Sequence, residues 1–176
     1  PEFTPLVRAR MTSINGQDVS QITFEDPQGE RWAKRESNLS FGDKIQTGNE
    51  LTEGQWWEAG TENHEVSVEV DFGRELGIKI GDELGFDIAG EPVSARVTSF
   101  RTVEWDTFQP NFFMFFSTAT LTGFPATYIT ALYADAEDDR KLLELMRQFP
   151  SGTVVDLEAS LARVRDVMGQ GARAVQ

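Results

Sequence analysis

Alternation of hydrophobic and polar residues dominates the first part of the chain and predicts β-strands. Residues 6–19 form an extended stretch that turns at Asn15 and Gly16, because both residues tolerate the positive φ of a two-residue hairpin turn. Residues 32–39 form a second extended stretch. The glycines that recur over 42–54 predict a region rich in loops.

The middle of the chain repeats this alternation in shorter units. Val66 and Val68 alternate with polar neighbours, and Gly77 supplies a left-handed stop for a short helix. The predicted elements are a helix over 70–76 and strands over 65–69, 83–88, 93–97 and 112–116. Strands this short and this close together predict a small β-barrel or β-sandwich for this section.

The last third of the chain changes to a helical period. A strand predicted over 127–133 precedes an acidic turn at Asp135, where negative charge favours the positive end of a helix dipole, and Pro150 ends that helix. A further strand is predicted over 153–156. The two helical stripes are Leu142, Leu145, Met146 and Phe149, and then Leu157, Leu161, Val164 and Met168. The order β-α-β-α makes the predicted fold class of the chain α+β.

Charge and composition exclude several classes of function. The 176 residues include 16 basic and 29 acidic side chains, a net charge of −13, so the chain lacks the clustered cations that nucleic acid requires. The absence of cysteine excludes disulfides, thiol catalysis and structural zinc fingers. No apolar run approaches the roughly 20 residues of a membrane span, and no signal peptide is present. The chain does not begin with Met, so we interpret it as a piece of a longer protein.

Candidates for catalysis are few. His64, the single histidine, has no ligands or nucleophile at a useful spacing and is interpreted as a solvated loop residue. The acidic pairs at 82–83 and 138–139 place adjacent side chains that diverge, so neither pair converges on one substrate atom. No phosphate-binding loop and no dinucleotide fingerprint is present. The sequence therefore predicts neither an enzyme nor a bound cofactor or metal.

Two aromatic features remain, and each allows two interpretations. They are a tryptophan pair in a loop-like stretch and an aromatic run over 112–116. A continuous apolar run is typical of a buried strand, whereas an exposed apolar patch marks a contact site for lipid or another apolar ligand. The residues of the candidate apolar contact surface are Trp56, Trp57, Phe112, Phe113, Phe115 and Phe116.

Three strings together resemble a known family. They cover 103–113 (VEWDTFQPNFF), 125–130 (PATYIT) and 76–90 (LGIKIGDELGFDIAG). They are similar to segments of large permease subunits in the FtsX/MacB superfamily of ABC transporters. The nearest subfamily is the long permease with two extracytoplasmic loops, associated with a lysophospholipase or thioesterase. The likeness runs over most of the chain, and the strings favour the second loop.

The resemblance implies a fold and a division of the chain. The implied fold is α+β, a MacB-like periplasmic core with a porter-like α/β part and an inserted β-rich, sabre-like part. Residues 1–48 and 122–176 would form the porter-like part and 49–121 the insertion. A strand and helix precede the position of Pro1 in the family, so their absence would leave a sheet edge able to pair with another copy.

The resemblance also implies function and partners. The chain would lie on the periplasmic face of the inner membrane, in an integral membrane parent, and couple cytoplasmic ATP hydrolysis to the handling or export of an apolar or lipid-linked substrate by mechanotransmission. Its partners would be the rest of the permease and a cytoplasmic ATPase subunit, with a periplasmic hydrolase or lipid-linked substrate as a further candidate. The alternative is a stand-alone secreted module that binds lipid or polysaccharide; a carboxylate hydrolase is a third interpretation.

Overall fold

Nine strands and three short helices build the part of the chain that this computed structural model describes, residues 3–107 and 109–130 together with residue 147. The strands are β1 (Thr4–Ile14), β2 (Gln17–Asp18), β3 (Glu36–Phe41), β4 (Asn49–Gly54), β5 (Glu65–Glu69), β6 (Glu83–Ile88), β7 (Glu91–Val103), β8 (Met114–Phe116) and β9 (Thr127–Ile129). The helices are α1 (Pro27–Lys34), α2 (Val70–Leu76) and α3 (Thr118–Leu121), and a 3₁₀ turn spans Val19–Gln21.

Six of the strands close into a barrel. Going round it, β1 pairs with β3, β3 with β8, β8 with β5, β5 with β7, β7 with β6, and β6 again with β1. The pairs β3–β8 and β5–β7 are parallel and the other four are antiparallel. In addition to pairing with β6, the long strand β1 also pairs with β9, and the long strand β7 also pairs with β4.

The inner face of this barrel is the main hydrophobic core. Alternating residues of each strand point inwards, since successive side chains on a strand face opposite sides. Closing the sheet buries most of that apolar face between the strands, and the helices add Ala33, Phe72, Leu76 and Leu121 to the same core. The largest fully buried apolar side chains are Phe86, Phe116, Leu39, Leu84, Ile88, Met114, Leu121, Val7, Val66, Val68 and Val97.

Helices α1 and α2 pack together. Asp26 caps α1 by accepting a hydrogen bond from the backbone N–H of Gln28, and Pro27 occupies the first turn, where a missing N–H costs nothing. Contact between the helices is close because Gly29 has no side chain. A Cβ at this position would lie 2.1 Å from the backbone oxygen of Glu75 in α2.

The predicted α+β class is wrong. Among the described residues 43% lie in strands and 18% in helices, and the sheet is a closed six-stranded barrel, which differs from a porter-like α/β layer. The prediction rested on the β-α-β-α order expected for the last third of the chain, whereas the alternating strands of the described part bury their apolar faces by closing on one another. The small β-barrel or sandwich expected for the middle section is confirmed as a barrel.

The barrel also recruits strands from outside the middle section. β1 and β3 lie within residues 1–48, yet they are strands of the same barrel as β5 to β8. The chain divides into two units, Pro1–Ala131 and Leu132–Gln176, and every element above belongs to the first. The predicted division into 1–48 with 122–176 and 49–121 stays a prediction for the whole chain.

Several local predictions are confirmed. Asn15 and Gly16 have φ of 52° and 78° in the turn after β1, and Gly77 ends α2 with φ of 68°. The predicted strand 83–88 coincides with β6. The predicted strand at 127–133 begins as expected at β9, but β9 already ends at Ile129, and residues 131–133 lie outside the described residues.

Other local predictions are wrong or fall outside the described residues. The expected strand at 32–39 starts too early, because Trp32 belongs to α1, and the loop region expected at 42–54 contains β4. The helices predicted after Asp135 and the strand at 153–156 lie outside the described part of the chain. Within that part, no helix has both the length and the apolar character needed to span a membrane.

Candidate functional site: an aromatic cleft and a buried arginine

The aromatic run over 112–116 divides its side chains between three environments. Met114 and Phe116 of β8 are 1% and 0% exposed and lie in the barrel core. Phe115, between them, points to the outer face of the sheet, because neighbouring residues on a strand alternate. Phe112 lies with Phe115, whereas Phe113 packs partly against the main core near α2. One short segment therefore contributes to both faces of the barrel wall.

An outer aromatic cluster covers this part of the sheet. It consists of Trp57, Phe112 and Phe115, with Leu6 and Trp56 packed against them. The two indole rings stack at 4.0 Å between ring centroids. Their Nε1 groups donate to backbone carbonyls, Trp56 to Asp43 at 2.8 Å and Trp57 to Gly42 at 3.0 Å. The pair thus fastens the loop after β4 to the loop after β3.

A cleft opens beside the same segment, where β3 and β8 diverge. The two strands pair only at Ser40–Phe115 and Phe41–Phe116, and the chain before Met114 separates from β3. The cleft has a volume of about 390 Å³. Its lining residues are Leu6, Trp32, Arg35, Glu36, Ser37, Asn38, Phe72, Trp105, Pro110, Asn111, Phe112, Phe113, Met114 and Ile129.

Four aromatic rings form one wall of the cleft. Phe113 lies at the centre, with its ring centroid 4.8 Å from Phe72, 4.9 Å from Trp32 and 5.0 Å from Trp105. Trp105 is 47% exposed and therefore presents nearly half of its surface to solvent at the edge of the cleft. The guanidinium of Arg35 lies 5.6 Å from the centre of the Trp32 ring, within the range of a cation–π interaction.

The loop that carries Trp105 is held by an asparagine. The Asn111 Nδ2 group donates to the backbone oxygen of Glu104 at 3.0 Å and lies within 3.4 Å of two further oxygens of the same loop. The Asn111 Oδ1 atom accepts a hydrogen bond of 3.1 Å from Asn49 Nδ2. Asn49 Oδ1 in turn accepts from Arg101 Nε at 3.0 Å. A hydrogen-bonded chain therefore runs from Arg101 to the cleft loop.

Arg101 is the centre of this network. It is 1% exposed, and its guanidinium also donates to the carbonyls of Ser67 at 2.8 Å and of Phe113 at 3.4 Å, and to the carbonyl of Phe112. Burial lowers the pKa of Arg101 to about 10, while the carboxylate of Glu69 acts in the opposite direction. The side chain stays protonated at neutral pH. Its hydrogen bonds to backbone carbonyls stabilise the charge, as a buried cation requires.

The predicted contact residues are thus dispersed. Trp57, Phe112 and Phe115 are buried in the outer aromatic cluster, Trp56 is half-buried at its edge, and Phe116 lies in the core. Among the predicted residues, Phe112 and Phe113 line the cleft. Their role as a contact surface stays a prediction.

Sequence reasoning missed the other cleft residues. Trp105 lies in one of the strings that resemble the permease family, and a single tryptophan there gives no sign of being exposed. The strand predicted over 32–39 includes Trp32, whereas the Asp26–Pro27 start signal indicates its position on α1. Arg101 and Asn111 carry no signal, because a lone arginine in an alternating strand is typical of a solvated face.

The other candidates for chemistry have local structural roles. Asp82 accepts hydrogen bonds from Asn15 Nδ2 at 2.9 Å and from the backbone N–H of Lys79 at 2.8 Å, so it fixes the turn before β6. His64 is exposed, and its carbonyl accepts from the backbone N–H of Arg96. The pair at 138–139 lies outside the described residues. Within the described ranges, no group of three or more metal-ligating side chains could hold a metal ion.

The chain is similar to a transport protein. It is 31% identical over 162 residues to the uncharacterized ABC transporter permease YbbP of Escherichia coli strain K12. The chain is related to an ABC transporter permease. The match covers 92% of this chain and 19% of the permease, so the chain spans about a fifth of the length of its relative. This likeness supports the conclusion that the chain is a permease-related domain.

Other comparisons add less. A domain of a candidate permease protein from Porphyromonas gingivalis, solved by crystallography, aligns with 84% of this chain and 70% of its own length, at 13% identity and a TM-score of 0.39. Folds that align this loosely differ in much of their detail, so we take neither fold nor function from this likeness. No protein-family model matches the chain.

Proposed function

We propose that the chain is an extracytoplasmic domain of an ABC transporter permease, on the periplasmic face of the inner membrane. The observation that carries this proposal is the 31% identity to YbbP over 92% of the chain, together with its 19% share of that protein. A region of this size fits one domain of a longer permease. The long-permease subfamily, and the second extracytoplasmic loop within it, are part of the proposal.

The proposed mechanism is mechanotransmission. ATP hydrolysis by a separate cytoplasmic ATPase subunit moves the membrane helices, and this domain follows as a body and acts on an apolar or lipid-linked substrate. A closed barrel suits this role, because its hydrogen-bonded ring of strands resists deformation and moves as a unit about hinges. The chain itself then needs no catalytic centre. A periplasmic hydrolase is a candidate partner for the released substrate.

The proposed contact surface is the cleft with the adjoining outer aromatic cluster. Trp105, 47% exposed, and Phe113 beneath it form the accessible part. Trp56 and Trp57 support it from the outside through Phe115 and Phe112. An exposed aromatic edge over a buried aromatic base is the arrangement that contact sites for apolar groups use.

The first experiment establishes the parent reading frame on both sides of this sequence. Apolar runs of about 20 residues on each side, next to an ATPase gene, are the expected result. A signal peptide upstream and a stop codon soon after residue 176 would refute the permease proposal and favour the secreted lipid- or polysaccharide-binding module.

A second experiment tests the contact surface in the full permease, reconstituted with its ATPase. Trp105→Ala removes the exposed ring, and we expect substrate-stimulated ATP hydrolysis to fall at least about fivefold, with basal hydrolysis and the unfolding midpoint unchanged. The matched variant Trp56→Ala removes a half-buried ring outside the cleft. It should lower the unfolding midpoint and leave most of the substrate-stimulated ATP hydrolysis in place. Full stimulation in the Trp105 variant would exclude the cleft as the contact surface.

A further inference from the structure

The edge of β3 that faces the cleft has no strand partner within the described part of the chain. Gly42 donates its backbone N–H to the carbonyl of Phe116 at 3.1 Å, so β3 directs this set of backbone groups towards β8. Every second residue of a strand presents its N–H and C=O to the same side. Ser40, Asn38 and Glu36 therefore face the side of β8, while Ser37 and Leu39 face β1, with which they are paired.

The ladder to β8 stops at Ser40. Register would next bring Leu39 opposite Met114 and Asn38 opposite Phe113, but those pairs do not form. Phe113 is drawn away, because its carbonyl accepts from the backbone N–H of Glu69 at 2.7 Å and from Arg101. Asn38 and Glu36 are both exposed and both line the cleft. Their backbone donors and acceptors stand at the open edge of the barrel wall.

We propose that the cleft between β3 and β8 binds an extended polypeptide segment of a partner protein, which adds a strand to the β3 edge at Glu36–Asn38. The site combines two requirements of strand addition. The edge supplies alternating N–H and C=O groups, and the aromatic wall formed by Trp32, Phe113 and Trp105 accepts the apolar side chain that points inwards.

The chemistry of the site selects this occupant. A row of alternating backbone donors and acceptors is matched by another extended backbone, and an acyl chain would leave these groups without partners. An apolar residue at alternate positions of the peptide fits the aromatic wall, because one face of an added strand turns towards it. The net charge of −13 favours a segment with basic residues outside the cleft, since the field of the domain attracts them.

The inference rests on the proposed function for the cleft as a contact surface and goes beyond it, since it assigns the β3 edge of the cleft to a partner protein instead of the apolar or lipid-linked substrate. The two fail separately. Peptide binding is measured on this chain alone, whereas the permease proposal depends on the parent reading frame and on ATP hydrolysis in the full transporter. A secreted module that binds peptides would agree with the peptide-binding inference and refute the permease proposal.

The test is selection of peptides on the full 176-residue chain from a phage library of random octapeptides. We expect enriched peptides to carry apolar residues at alternate positions and basic residues between them. On the wild-type protein, a synthetic copy of the most enriched peptide should lose at least about tenfold in affinity when the backbone amides of alternate residues are N-methylated, because methylation removes the ladder donors.

Substitution of the strand edge supplies the matched pair of variants. Asn38→Pro deletes an N–H that faces the cleft and leaves the ladder to β1 intact, so the variant should fold and lose at least about tenfold in peptide affinity. Asn38→Ala keeps that N–H and should bind like the wild type. Amide spectra and the thermal midpoint of both variants report folding, and the methylated peptides test the same bond without any substitution.

Four results would overturn the inference. They are the absence of enriched peptides, binding that is indifferent to N-methylation, equal binding by the Asn38→Pro and Asn38→Ala proteins, and a dimer of the chain that Asn38→Pro dissociates. The last would identify a second copy as the occupant. Binding to phosphatidylglycerol vesicles that competes with the selected peptide would identify a lipid surface instead.

Discussion

Arg101 holds a full positive charge where almost no solvent reaches it, and the surrounding backbone carbonyls accept hydrogen bonds from its guanidinium. Three carbonyls and the Asn49 side chain are its partners, and two of those carbonyls belong to the segment that opens the cleft. Removal of a buried donor leaves its acceptors without water or partner, which costs more than the net value of the hydrogen bonds. Arg101 is therefore a positioning residue for the cleft.

Replacement of this side chain should destabilise the domain. We expect Arg101→Met to lower the free energy of unfolding by about 3 kcal/mol, because buried carbonyls lose their donors and Glu69 loses its nearest buried cation. Urea denaturation followed by tryptophan emission measures the effect. Arg96→Met is the control, since Arg96 is exposed and its side chain donates to the carbonyl of Gly81 at the surface. Equal stability of the two variants would contradict the positioning role.

At this scale the sequence identifies turns better than it identifies the site. Asn15, Gly16 and Gly77 could be predicted because each residue type has a backbone conformation that others avoid. The burial of Arg101 depends on a loop that folds over β7 and on acceptors that lie far away in the sequence. No local pattern encodes such a partner, so the centre of the candidate site could not be predicted.

Among the elements, the pair α1 and α2 depends on one glycine. A helix that contains alanine in place of glycine is normally more stable by about 0.5–1 kcal/mol. Gly29 should reverse this rule, because a Cβ there would lie 2.1 Å from the backbone oxygen of Glu75 and 3.0 Å from its carbonyl carbon. Backbone atoms cannot rotate away as a side chain can, so the two helices would have to separate.

We therefore expect Gly29→Ala to lower the free energy of unfolding by about 2 kcal/mol, as overpacked sites do. Separation of the helices should also lengthen the hydrogen bond between Trp32 Nε1 and Glu75 Oε2, now 2.6 Å, and shift the tryptophan emission. Thermal unfolding by circular dichroism gives the stability. Gln28→Ala, one position earlier on α1, meets no such contact and should change stability by less than about 0.5 kcal/mol. A stabilised Gly29→Ala protein would refute the close approach.

Element predictions succeeded where alternation was regular, as in β6, and failed where two signals competed. The stretch predicted as a strand from Trp32 begins inside a helix, because the Asp26–Pro27 cap starts α1 and the helix continues to Lys34. β4 has a mostly exposed, acidic sequence and forms a strand because β7 offers it an edge. Tertiary pairing of this kind overrides local propensity.

The whole molecule carries a charge of −13 that its ion pairs hardly offset. Within the described residues, three ion pairs join side chains that are more than half exposed: Arg8–Glu36, Lys34–Glu30 and Arg74–Asp71. Such pairs contribute little, whereas repulsion among the excess carboxylates acts over the whole surface. Salt screens both the attraction within the ion pairs and the repulsion among the carboxylates. The repulsion is the larger of these two contributions.

We expect the thermal midpoint to rise by several degrees as NaCl increases from 0.02 M to 0.5 M, because the screening length shortens over this range. Differential scanning calorimetry measures it. A double variant, Glu50→Lys with Glu53→Lys on the exposed strand β4, changes the net charge from −13 to −9, since each replacement removes one negative charge and adds one positive charge. It should show a smaller increase. A midpoint that falls with salt would mean that the ion pairs outweigh the repulsion.

The order of strands round the barrel also determines when the chain can fold. β1 and β3 are the first barrel strands to be synthesised, and they can pair with each other at once. Each strand also needs a second neighbour, because β1 pairs with β6 and β3 pairs with β8. β8 is the last barrel strand to leave the ribosome, and it sits between β3 and β5. Contacts between distant parts of a sequence make folding slow. The nascent chain therefore carries an open, apolar sheet until β8 emerges, and during that interval it depends on protection from aggregation.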